Sequence, residues 1–160
     1  MAYWLPYSLP TTQDYAASKQ AEGAASTIEV VVGDFFELGA DDSSPLFDLI
    51  YDCTFLCAIP PERREEWAVV MERNLASGGE LVTLIFPVVP GRSDSADPAL
   101  SEGAMPGGGG PPWRMTVPLV QGLCEGVGLV LVGEVERVSD EDKARGFAGE
   151  YIARWRKPAA

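Results

Sequence analysis

The sequence predicts an α/β domain on a mostly parallel sheet. Three observations carry this: three apolar runs rich in β-branched residues ("TIEVVV", "LFDLIYDC" and "GELVTLIFPV"), an amphipathic segment between the second and third, and Gly or Pro at the points where elements change. Strands that are apolar on both faces belong in a parallel sheet covered by helices. At 160 residues, with 46% hydrophobic and 22% charged residues, the chain is one domain's worth with enough apolar matter for a core.

Residues 1–26 show little pattern: aromatics and prolines, then the alanine-rich "DYAASKQAEGAAS", whose composition suits a short helix. The patterned part, 27–160, opens with a buried parallel strand near Ile28 to Val32, and Gly33-Asp34 follow where it leaves the sheet. The second strand comes after the polar turn "GADDSSP", and the third after Gly78-Gly79. Between these two, Pro60-Pro61 suits a helix start, Glu62, Glu65 and Glu66 favour its first turns, and Gly78 suits its end. Trp67, Val70, Met71 and Leu75 share one helical face, so the unit reads as β-α-β with a right-handed crossover.

The stretch at about 90–112 is rich in Gly, Pro and Ser without periodicity and reads as a long flexible loop. A second helix follows, with Thr116 as its cap, Leu119, Val120, Leu123 and Val127 turned inward, and Gly128 at its end. The chain closes with two strand candidates, "LVLVGEVERV" and "EYIARWRK", the last expected to run antiparallel at the edge of the sheet.

Composition also excludes. Asp and Glu outnumber Lys and Arg by 24 to 12, which argues against nucleic acid and against an anionic membrane surface, since both need clustered cations. Residues 1–62 hold ten acidic residues and only Lys19 against them, so −9 of the net −12 lies there. No apolar run approaches the roughly 20 residues of a membrane span, and the amino terminus lacks the pattern of a signal peptide, so the expected location is the cytosol. Cys53, Cys57 and Cys124 fit no metal or disulfide spacing and read as reduced structural thiols. The chain has no histidine, which disfavours serine-hydrolase triads and zinc-hydrolase chemistry.

In an open α/β sheet, ligands bind beyond the carboxyl ends of the strands, which selects Asp34-Phe35, Asp52-Cys53-Thr54 and Pro87-Val88. A carboxylate beside an aromatic ring can accept a hydrogen bond from an adenine amino group while the ring packs on the base. A solvated turn acid is the alternative reading of the same pair.

Four segments, "GDFFEL", "FDLIYDCTFLCAIPPERREEWAVVM", "GGELVTLIFPV" and "GGPPWRMTV", stand in the order seen in one family. From about Glu29 to Lys157 the chain resembles the thiol and halide methyltransferases related to thiopurine S-methyltransferases, which use S-adenosylmethionine. The resemblance implies a Rossmann-like class I methyltransferase sheet whose last strand is antiparallel. It implies methyl transfer to a small thiol, thiocyanate or halide acceptor, with S-adenosylmethionine as cofactor and no metal. Asp34 and Phe35 match the family's adenosine-binding pair, and Asp52 and Cys53 match the segment beside the methionine part. Pro111, Pro112 and Trp113 match a substrate-side loop, and "ARWRK" matches the closing strand.

Where relatives read Asp-Tyr-Thr-Phe, this chain has Asp52-Cys53-Thr54-Phe55. No catalytic residue is named, because displacement by an already charged nucleophile requires alignment and desolvation rather than a base. A complete enzyme of this kind opens its sheet with a strand that ends in a glycine turn, then a second strand with an acidic residue for the ribose. Here the first glycine is Gly23, the next is Gly33, and no G-x-G precedes "GDFF". The expectation is therefore a sheet without its first two strands, and an open edge through which copies could self-associate. The alternative function is a catalytically inactive fragment acting as a binding or interaction module. A nicotinamide-dependent oxidoreductase ranks last, since it needs the same glycine loop.

Overall fold

The computed structural model describes residues 2–3, 29–41, 46–88, 111–139 and 150–159. Its strands are β1 (Ala2–Tyr3), β2 (Glu29–Val30), β3 (Phe47–Cys53), β4 (Leu75–Ile85), β5 (Val130–Leu131), β6 (Glu136–Arg137) and β7 (Tyr151–Arg156). Its helices are α1 (Arg64–Asn74) and α2 (Val117–Gly126). The alanine-rich helix candidate at 14–26 lies outside the described residues, as does the loop expected at about 90–112 apart from Pro111 and Pro112.

The main sheet runs β3-β4-β7-β5, with β6 also on β7. β3 and β4 are parallel and joined by α1, the expected β-α-β unit, whereas β7 is antiparallel to β4, β5 and β6. The last strand is thus antiparallel as expected, but it sits inside the sheet, not at its edge. "LVLVGEVERV" breaks at Gly133 (φ +77°) into two short strands that cover the outer side of β7.

The first strand also departs from expectation. Among the described residues of this run only Glu29–Val30 is paired, in a separate two-stranded parallel sheet with β1, and Val31 and Val32 are exposed. A strand that does not join the main sheet has no second layer to bury its apolar residues, so the apolar run alone did not settle its burial.

Helix α1 begins after a 3-10 turn over Pro61–Arg63 and ends at Asn74, four residues before the glycine expected to stop it. Lys157 supplies the stop, its Nζ donating to the carbonyls of Glu72 (3.0 Å) and Leu75 (3.1 Å). Gly78 (φ +80°) and Gly79 instead form an irregularity within β4, where the register jumps from Phe47–Leu75 to Leu49–Glu80. A Cβ on Gly79 would come within 2.9 Å of the Ala76 and Phe47 carbonyls, so no larger residue fits.

One face of the sheet packs under both helices. Leu81, Ile85 and Trp155 from the strands meet Trp67, Met71 and Val120 from the helices, and Trp155 Nε1 donates to Thr83 Oγ1 at 3.0 Å. Thr116 caps α2 as read, accepting from Leu119 N at 3.2 Å. Val120 and Cys124 form its buried stripe, flanked by half-buried Leu119, Leu123 and Val127.

On the opposite face Leu49, Tyr51 and Ile152 are exposed, while Val82 and Leu84 are half-buried. Register sets Leu49, Glu80 and Arg156 side by side, then Tyr51, Val82 and Arg154, then Cys53, Leu84 and Ile152. Glu80 bridges Arg154 (2.7 Å) and Arg156 (2.5 Å) across this face. No helix among the described residues is long and apolar enough to cross a membrane, and no cluster of His, Cys, Asp or Glu among them suits a metal ion.

Candidate cofactor site at the strand ends

Successive strand residues point to opposite faces, so Asp52 turns under the helices while Tyr51 and Cys53 face the open side. Asp52 is 3% exposed and accepts three hydrogen bonds. Its Oδ1 accepts from Phe55 N (3.1 Å) and Leu56 N (3.2 Å), and its Oδ2 accepts from Trp67 Nε1 (2.9 Å). Burial pushes its pKa above the usual carboxylate value, and the three hydrogen bonds pull the other way. The carboxylate thus shapes the elbow that follows β3 and ties it to α1.

Thr54 lies at the apex of that elbow with φ +64°, a left-handed conformation that a β-branched residue adopts only under strain. Its carbonyl accepts from Cys57 Sγ at 3.2 Å. Cys57 O in turn accepts from Trp113 N at 2.7 Å, so the substrate-side segment is pinned to the elbow. Met115 N donates to Pro87 O at 3.0 Å beyond the end of β4, and Arg64, 2% exposed, reaches the Arg114 carbonyl with Nη2 at 3.3 Å.

The third segment is the 3-10 turn Phe35–Glu37. Asp34 Oδ1 caps it by accepting from Phe36 N at 2.9 Å, which leaves Oδ2 to accept from elsewhere. Phe35 is buried edge-on to Phe55, with ring centroids 4.8 Å apart. Arg63 lies over the Phe36 ring at 3.4 Å and pairs with Glu66, whose carboxyl it holds below the ordinary range. Arg73 donates to the carbonyls of Leu38 (2.7 Å) and Phe36 (2.6 Å), and Asn74 Nδ2 to Leu38 O (3.0 Å). These bonds clamp the turn to α1 although β2 and β3 do not pair.

Between the turn and β3 lies a slot of about 140 Å³, lined by Val31, Phe35, Leu38, Ile50, Asp52 and Phe55 among others, with α1 as its floor. On the β3 side, burial and the neighbouring Cys53 push the Tyr51 hydroxyl up to about 12.

The structure therefore gathers Phe35, Asp52 and the backbone of Trp113 around one elbow, with Asp34 adjoining. Cys53 lies on the other face, and Pro111 and Pro112 are exposed. Sequence reasoning missed Trp67 as the partner of Asp52, and Arg73 and Asn74 as the clamp. Trp67 carried a helical-face signal, but the direction of its indole N–H has no sequence signature. The residues suit the adenosine end of S-adenosylmethionine, with apolar walls and an available carboxylate oxygen at Asp34.

Known proteins bear on this arrangement. Among curated proteins, Probable thiol methyltransferase 2 of Arabidopsis thaliana is 34% identical over 111 residues, covering 69% of this chain and 41% of that protein. Thiocyanate methyltransferase 1 of the same plant is 33% identical over 112 residues, covering 70% and 41%. The chain spans about two fifths of the length of these relatives. Among solved structures, a Burkholderia thailandensis 1,6-didemethyltoxoflavin-N1-methyltransferase with bound S-adenosylhomocysteine aligns with a TM-score of 0.64 at 15% identity, covering 98% of this chain and 60% of that one. A Methanosarcina mazei SAM-dependent methyltransferase aligns with a TM-score of 0.68 at 13% identity, covering 99% and 82%. Both share the Rossmann-like fold. The sequence profile of the thiopurine S-methyltransferase (TPMT) family matches residues 7–90, starting ahead of the Glu29 boundary suggested by the motifs, and with more than half of its length matched the chain belongs to that S-adenosylmethionine-dependent family.

Proposed function

We propose that this chain takes part in S-adenosylmethionine-dependent methyl transfer to a small thiol, thiocyanate or halide. The observation that carries the reading is the convergence of the Asp34-Phe35 turn, the Asp52–Phe55 elbow and the Trp113 segment on one side of the sheet in a member of this family.

In this reading Asp34 Oδ2 accepts from the adenine amino group, and Phe35 with Leu38 and Ile50 forms the apolar wall against the base. The Asp52-Cys53 backbone lies beside the methionine portion, and Pro111, Pro112 and Trp113 border the acceptor. The cofactor supplies an electrophilic methyl group on a sulfonium. The chain's part is to hold the two reactants in line and exclude water, and no side chain is assigned proton transfer. A cytosolic setting suits the three cysteines, none of which is in a disulfide.

Calorimetric titration with S-adenosylhomocysteine, followed by methyl-transfer assays with hydrosulfide, thiocyanate and iodide, tests this. Saturable binding with turnover on any of the three supports it, and folded protein that binds nothing overturns it for the isolated chain. A second reading, a non-catalytic binding or interaction module, is favoured by the edge of β3 that no strand among the described residues pairs.

A further inference from the structure

Arg114 stands in a segment that is held from both sides. Trp113 N donates to the Cys57 carbonyl at 2.7 Å and Met115 N to the Pro87 carbonyl at 3.0 Å, so the residue lies between the elbow after β3 and the chain beyond β4. Its own carbonyl accepts from Arg64 Nη2 at 3.3 Å. The side chain is half-buried, its Nε is closed off from water without a hydrogen-bond partner, and no acidic side chain among the described residues pairs with it.

Most other described cations are already employed. Arg63 pairs with Glu66, Arg154 and Arg156 with Glu80, and Lys157 with Glu72, while Arg73 serves the carbonyls of Phe36 and Leu38. Arg137 also lacks an acidic partner, but it is exposed on β6, which β7 separates from β4 and the elbow. A half-buried guanidinium has lost part of its hydration, and an anion restores the missing interactions with charge-assisted hydrogen bonds. In a chain of net charge −12 the overall field repels anions, so a local cation is needed to draw one in.

We propose that Arg114 binds the methyl acceptor as an anion, through its two Nη groups, which unlike Nε are not closed off. The inference rests on the methyltransferase reading and gives its acceptor site a charge preference: thiolate, thiocyanate or halide over neutral thiols. In the transfer, the acceptor's lone pair forms the bond to the methyl carbon as the sulfonium carbon–sulfur bond breaks, so opposite charges cancel and no proton moves. A cation beside the acceptor therefore favours the bound anion over the transition state, in which that charge is fading. Loss of the cation raises KM for the acceptor and leaves kcat no lower.

The test reads anion binding by the full chain with chloride as the probe, whose NMR line broadens in exchange with a protein site, at constant ionic strength. The expected result is excess broadening that thiocyanate and iodide reverse and neutral thiourea does not. Arg114→Gln weakens the apparent chloride affinity about tenfold, whereas Arg114→Lys and Arg137→Gln retain it. No excess broadening, reversal by thiourea, or equal losses in Arg114→Gln and Arg137→Gln overturns the proposal. The displacement series uses the unaltered chain, so it decides even where Arg114→Gln loses its circular dichroism. If the anion site is found but no methyl transfer to hydrosulfide, thiocyanate or iodide occurs, the site stands and the methyltransferase reading falls. If methyl transfer to iodide occurs with a KM that Arg114→Gln leaves unchanged, that reading stands and this one falls.

Discussion

The bond between Asp52 Oδ2 and Trp67 Nε1, 2.9 Å long and fully buried, predicts strong coupling between two residues fifteen positions apart. Trp67→Phe keeps most of the ring packing and deletes the donor. A buried hydrogen bond contributes about 1 kcal/mol, and more where its acceptor is charged, so this variant loses about 1–2 kcal/mol beyond any packing change. Asp52→Asn preserves the acceptor for Phe55 N and Leu56 N but sets an amide donor against the indole N–H, at a cost of about 1–3 kcal/mol. In the double variant that clash of donors is gone, so the two losses fall short of additivity by about 1–2 kcal/mol. Urea unfolding followed by circular dichroism at neutral pH measures the cycle. In a domain of this size each kcal/mol lowers Tm by about 2–4 °C. Losses that add to within about 0.5 kcal/mol would refute the assignment of Asp52 as the anchor of the elbow.

Other predictions follow from the same contacts. Arg154 and Arg156 hold Glu80 below its usual pKa, so its contribution is present above the unfolded value of 4.5 and is lost as pH falls through the lower folded value; Glu80→Gln lacks that dependence, and the two stability curves converge in acid. Asp52 has the opposite sign: its folded pKa is raised, so its burial costs stability at neutral pH and the cost is relieved as pH falls through the folded pKa, a trend absent from Asp52→Asn. Thr54→Asn tolerates the left-handed backbone better and raises stability by about 1 kcal/mol in the same urea assay. Arg73→Ala, which frees the Phe36 and Leu38 carbonyls, weakens S-adenosylhomocysteine binding by about tenfold if the turn holds the adenosine, a change of about 1.4 kcal/mol readable by calorimetry.

The β-α-β unit was legible because each of its signals is local. Pro60-Pro61 set the entry, the glutamates favour the first turns, and the face of Trp67, Val70 and Met71 met the sheet as its spacing required. The ends were less legible where a distant residue decides them. Lys157 stops α1 from 82 positions beyond Leu75, and no pattern around Gly78 could reveal that. The interior place of β7 depends on pairing partners along the chain, whereas its composition, with Arg154 and Arg156 alternating with Ala153 and Trp155, shows only that one of its faces is solvated. The motifs marked Asp34, Phe35, Asp52 and Trp113, and Phe35, Asp52 and the Trp113 backbone meet around one elbow, yet which face each side chain takes required the register.

That register bears on what Asp52 can do. A carboxylate that is 3% exposed is out of a ligand's reach unless it swings outward, and swinging outward would leave buried N–H groups unpaired at a cost of about 1–3 kcal/mol each. A ligand at the elbow is therefore better met by backbone, and the strained Thr54 is the residue that turns that backbone outward. Asp34 is under no such constraint, since only Oδ1 is committed. In the proposed reading the acidic residue that meets the ligand is thus the exposed Asp34, while the buried Asp52 maintains the shape of the elbow. Asp34→Ala and Asp52→Asn should separate the two roles. The first weakens cofactor binding with stability unchanged, and the second lowers stability while leaving the affinity of the folded fraction intact. Equal effects of both variants on both readouts would show that the two carboxylates serve the ligand together.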